Sequence, residues 1–175
     1  MEQAIPWTAL AGWGLVYGLA VSALFTAVLF SGALAARNFM VQDYPPAIRD
    51  RYGAKSPRGQ RVARAASIIV AIGVVAILAV ALMHLSRLAP GAGVLAVFVY
   101  AWIILQTFNL FDLVVLDWLI VVTWRPALVV LPGTEDMSDY RDLGFHLRGF
   151  AKGIVICSVG AGIAAGAYSL LTALI

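Results

Sequence analysis

Asp112 and Asp117 sit in an otherwise apolar run that also contains Gln106 and Asn109. On a helix turning by about 100° per residue, Gln106, Asn109 and Asp117 fall within one quadrant, and Asp112 lies about 60° beyond Asn109. The result is a polar stripe on an apolar rod. Hydrocarbon cannot solvate two carboxylates, so the stripe has to face protein or water. Carboxylates in such a place can pair with a cation, hold or pass a proton, or serve as acid and base. The cationic groups near enough in topology are Arg37, Arg125, Arg148 and Lys152, and His146 is a titratable neighbour.

Three uses of this stripe compete. Asp112 and Asp117 can be ion-paired with arginines and lock the ends of a helix assembly, because buried charges are usually paired. They can instead line a cytoplasm-facing acidic pocket for a cation, a proton or a lipid-like ligand. They can also work with His146 as an acid–base pair on a lipid or amphiphile. The leading expectation is the pocket of a binding, transport-related or accessory protein. A small membrane enzyme and a purely structural subunit are the alternatives.

The elements that must position these residues follow from composition. Hydrophobic residues make up 62% of the 175 and charged residues 12%, against about 45–50% and about 25% in an ordinary soluble domain. The mean hydropathy is +0.93. No charge interrupts the chain between Glu2 and Arg37, Arg64 and Arg87, Arg87 and Asp112, or after Lys152. Each gap exceeds the roughly 20 residues that a helix needs to cross hydrocarbon. The predicted fold is therefore an all-α integral membrane protein: a single domain of four transmembrane helices in an antiparallel bundle. The spans lie at about 9–36, 65–85, 93–124 and 150–174, with short interfacial helices in the cytoplasmic connections 37–64 and 125–149.

Small residues recur every four positions at Gly14, Gly18, Ser22 and Thr26, and again at Ser158, Gly162 and Gly166. Such rows let helices approach closely, so both are expected at helix–helix contacts. Four helices enclose little interior, so transport would need a homo-oligomer or a larger membrane complex.

The connection 37–64 carries seven Lys or Arg against Asp43 and Asp50. Basic connections of this length stay in the cytoplasm and can touch anionic headgroups of membrane lipids. Their place between spans accounts for them without nucleic acid. Pro45–Pro46 and Gly53 predict a short helix from Pro46 to Tyr52 with Ile48 and Tyr52 towards the membrane. Ser56-Pro57-Arg58-Gly59 reads as a turn. His84 and Arg87 close the second span beside the Pro90–Gly91 turn, and His84 is expected at the interface.

The third span admits two registers. Trp102 and Trp124 at the two interfaces would leave Asp112 near the midplane. Val94 at the outer boundary would leave it near the inner one. The second is favoured, since a central Asp costs about 2.5–3.5 kcal/mol on insertion scales. Beyond Arg125-Pro126, Ala127–Leu131 is too short to span and reads as an extended apolar stretch. From Ser138, a plausible N-cap, an amphipathic lead-in places Tyr140, Leu143, Leu147 and Phe150 on one face and turns into the last span at Gly149 or Gly153.

Eleven of the twelve Lys and Arg lie on one side of this topology and only Arg87 on the other, which places both termini on the non-cytoplasmic side. A bacterial inner membrane suits the composition. The first span reads as a retained helix rather than a cleaved leader, for want of an N-terminal cation. Cys157 is the single cysteine, so an intramolecular disulfide and multi-cysteine metal sites are excluded. No metal site and no particular cofactor is indicated: Walker, nucleophile-elbow and His-Glu-x-x-His motifs are absent, and Gly160, Gly162 and Gly166 lack the strand a dinucleotide fingerprint requires.

Overall fold

A chain rich in Ala, Leu, Ile and Val, with few side chains to compete for its amides, satisfies its backbone most economically within helices. The computed structural model describes residues 5–174, and among them there is no strand. The elements are α1 (Trp7–Ala35), the short α2 (Pro46–Tyr52), α3 (Pro57–Leu88), α4 (Val94–Phe111) and α5 (Leu143–Ala173). A π-helical segment, Asp112–Trp124, continues α4, and 3-10 turns occupy Val41–Asp43 and Ser138–Arg141. Four helices are long and apolar enough to cross a membrane: Trp7–Ala35, Pro57–Leu88, Val94–Trp124 and Leu143–Ala173. Glu2 and the two chain ends, whose side of the membrane the sequence predicts, lie outside the described residues.

Two helix starts differ from the sequence expectation. Ser56-Pro57 opens α3 instead of forming a free turn. Ser56 Oγ accepts from the Gly59 amide at 3.0 Å, while Pro57 needs no amide partner in the first turn. In α5 the cap is Asp142, not Ser138. Its Oδ1 takes the Phe145 amide at 2.9 Å, and the helix then runs unbroken through Gly149 and Gly153. The short helix Pro46–Tyr52 forms as expected and stops at Gly53, whose φ of 90° suits a residue without a Cβ.

The described chain divides into two compact units. One comprises the chain up to Ala23, Gly73–Phe111 and the chain from Ala151 onward. Its core gathers Leu10, Val21, Leu85, Val97, Tyr100 and Ile104, all buried. Gly14 and Gly18 are where α4 comes closest. A Cβ at Gly14 would lie 2.7 Å from Ile103 Cγ2, and one at Gly18 would lie 2.7 Å from the Ile104 carbonyl. On α5 the buried small residues are Ala161 and Ala165, whereas Gly162 and Gly166 face open space. The packed face of α5 is thus one residue back from the predicted row, where methyl groups supply contact area that glycine lacks.

The other unit comprises Leu24–Ile72 and Asp112–Phe150. Its core is Val41, Ile48, Leu131 and Tyr140. Ile48 therefore faces protein rather than lipid, and Tyr52 packs at the edge of the same cluster. Tyr140 OH accepts from the Leu131 amide at 2.9 Å and meets Thr134 Oγ1 at 2.7 Å. Tyr44 OH donates to the Val129 carbonyl at 2.7 Å. These bonds hold 127–131 as turns with Val129 and Leu131 buried, not as an extended stretch.

Much of the outer surface is aliphatic: Ile72 on α3 and Ile156 on α5 are 66% and 70% exposed. The contrast between the glycines is testable by thermal melting in detergent. Gly18→Ala drives a methyl group against backbone and is expected to cost about 1–3 kcal/mol. Gly166→Ala meets nothing and gains about 0.5–1 kcal/mol from a stiffer helix.

Candidate functional site

His146 stands in the first turn of α5, and its position depends on the Asp142 cap. The Asp142 carbonyl accepts the His146 amide at 3.4 Å, and the Phe145 ring lies edge-on at 5.5 Å. From the π-helical segment Asp117 reaches it, with Oδ2 3.0 Å from His146 Nδ1. The His146 side chain is 6% exposed and that of Asp117 27%. A carboxylate can only accept, so the proton between them belongs to Nδ1, and the neutral ring keeps its lone pair on Nε2. That Nε2 is buried and has no hydrogen-bond partner among the described residues.

Two more carboxylates belong to the same unit. Asp112 starts the π-helical segment that carries Asp117. Asp43, in the 3-10 turn before α2, keeps some surface open to solvent. The protein around it nevertheless raises its carboxyl above the ordinary range; Lys55 draws it down, Asp117 adds to the rise, and Arg49 opposes it. Within the second unit Asp117 and His146 are in direct contact, and Asp43 feels the charge of Asp117.

The other expected site residues lie elsewhere. Gln106 Nε2 donates to the Ile154 carbonyl at 3.0 Å, and its Oε1 accepts from Asn109 Nδ2 at 3.2 Å. Asn109 packs directly on Gly153. The two amides thus serve contacts of α4 with α5. The stripe also does not continue as drawn on a regular wheel, because from Asp112 the backbone bonds skip five residues, as in the Arg125 amide to the Ile120 carbonyl at 2.7 Å. This wider winding changes the direction of every later side chain. Arg125 spends its guanidinium on the Val122 carbonyl at 3.5 Å and on the Tyr140 ring at 5.7 Å. Arg148 pairs loosely with Asp142 at 3.8 Å, and Arg37 is exposed. Among the described residues, no Lys or Arg is ion-paired with Asp112 or Asp117.

Asp43 was not evident from sequence, where it is one of two acids among seven cations. His84 gains partners that sequence proximity did not suggest: Tyr17 OH lies 3.1 Å from its Nδ1, and the Trp13 ring meets it edge-on at 4.5 Å. Among the described residues, no group of three or more His, Cys, Asp or Glu is arranged to hold a metal ion. A cavity of 440 Å³ is bordered by Asp43 and Lys55, and an open depression of 480 Å³ by Arg49 and Asp50. Neither is lined by Asp112, Asp117 or His146. Comparison with known protein families, curated proteins and solved structures finds no match.

The raised carboxyl of Asp43 carries a sign for stability. The folded chain holds this proton to higher pH than the unfolded chain, so its contribution falls as pH rises through and above the ordinary carboxylate range. Asp43→Asn is expected to raise the melting temperature at neutral pH and to lose that advantage in acid, measured as the difference from wild type across a pH series.

Proposed function

We propose that this chain is an integral protein of a bacterial inner membrane, an antiparallel bundle of four spans with both termini on the non-cytoplasmic side. In this reading its Asp117–His146 pair takes up and releases a proton on the cytoplasmic side, as part of a binding or transport-related task. The four long apolar helices and their aliphatic exteriors support membrane insertion. The bias of ten cations to the two connections, with Lys152 just beyond the second, supports the orientation.

The observation that carries the chemical reading is the imidazole held at Nδ1 by Asp117, with Nε2 buried and unpartnered. An oriented ring with a shielded basic nitrogen is suited to receive a proton, the one ligand that needs no cavity. The imidazole and the Asp117 carboxylate beside it offer two resting places for it. Net transport would involve a second copy of the chain, because four helices leave no room for a pore.

The same orientation of His146 by Asp117 favours a second reading, acid–base catalysis on an amphiphile, in which Nε2 is the base and Asp117 fixes the tautomer.

The test is purified protein in liposomes loaded with a pH-sensitive dye and given an imposed proton gradient. Wild type is expected to dissipate the gradient, while Asp117→Asn and His146→Ala fall to the rate of protein-free vesicles with their helical melts retained. Unchanged flux in folded variants, or no flux in wild type, overturns the proton reading. Loss of turnover on an amphiphile in His146→Ala, with binding intact, would support the catalytic one instead.

A further inference from the structure

The 440 Å³ cavity lies within the second unit, between the later part of α1 and the first half of α3. Its size falls in the range of about 300–1,000 Å³ typical of small-molecule sites. Phe25 and Leu29 form one wall, and Ala66 and Val70 the other. The small side chains of α3 leave space that a longer residue would fill. The charged residues in its lining are Asp43 and Lys55. Lys55 is half-buried, and its ammonium has no ion-pair partner among the described residues. The exposed Arg58, Arg61 and Arg64 follow on the first turns of α3.

An apolar trough with a cation on its border, in a segment with a strong excess of positive charge, matches a molecule with a hydrocarbon tail and an anionic head. We propose that this groove binds one acyl chain of an anionic phospholipid, with its phosphate, whose charge no headgroup cation offsets, held at Lys55. The chain lies along Ala66 and Val70 against Phe25 and Leu29, and burial of its methylenes supplies the attraction. Lys55 supplies a compact positive charge for the phosphate. Asp43 is the like-charged neighbour in the lining, and its protonated form can donate to a phosphate oxygen. The other titratable or charged groups acting on Asp43 are Asp117 and Arg49.

This site is separate from the His146 nitrogen, but it does rest on the membrane reading. That reading is checked first, by whether detergent is required to extract the chain from membranes. The extracted full-length protein is then incubated with phosphatidylglycerol or with phosphatidylcholine of the same chain length, and bound lipid is counted by native mass spectrometry. One phosphatidylglycerol per chain is expected to survive, with phosphatidylcholine lost. Ala66→Trp fills the groove and should abolish retention. Lys55→Gln, which disturbs no packed core, should leave the fold intact and remove the preference between the two lipids. Equal retention of both lipids by wild type, retention unchanged in a folded Ala66→Trp, or a preference that survives Lys55→Gln overturns the assignment. A chain extracted without detergent would defeat the membrane reading instead.

Discussion

A carboxylate on an apolar helix has to find its counterpart in protein, because hydrocarbon offers none and the cost of leaving it bare is several kcal/mol. Asp117 meets that requirement with His146 at 3.0 Å. Much of the second unit follows from keeping those two side chains together. The cap by Asp142 sets where α5 begins and hence where His146 stands. The Tyr140 hydroxyl, through Leu131 and Thr134, ties down the segment that returns the chain from the π-helical stretch to that cap.

In the first unit the governing term is backbone proximity rather than charge. Where α1 presents Gly14 and Gly18, side chains of α4 rest almost on its main chain, and dispersion contacts hold the two helices together. Polar side chains there are answered locally. Asn109 and Gln106 bond to each other, and Ser158 accepts from Trp102 Nε1 at 3.0 Å. The two units thus manage different problems: one brings backbones together, and the other keeps ionisable groups in company.

Local rules of chain chemistry made a good part of this legible beforehand. Uninterrupted aliphatic runs marked the four long helices, and the Pro-Pro and Gly53 punctuation marked Pro46–Tyr52. The same Ser-Pro pair that reads as a turn also reads as a helix cap, and only the packing of Gly59 on Asn38 decides between them. Asp112, Asp117 and His146 stood out by residue type. Their relation did not, because which partner reaches Asp117 depends on a cap at Asp142 and on a winding that no residue pattern announces. An arginine partner was the natural expectation from charge counting. The arginines instead use their guanidinium groups on a carbonyl, an aromatic face, the Asp142 carboxylate and solvent. Asp43 was hidden by its company, one of two acids in a basic connection, and its importance comes from tertiary neighbours.

The π-helical winding of Asp112–Trp124 has a mechanical corollary. Each of its amides bonds five residues back, and the competing four-residue ladder is a single carbonyl away for every one of them. Return to the tighter ladder would twist Asp117 around the rod and carry its carboxyl off the imidazole. The bond between Asp117 and His146 therefore works as a brake that opposes any tightening of the screw of this segment.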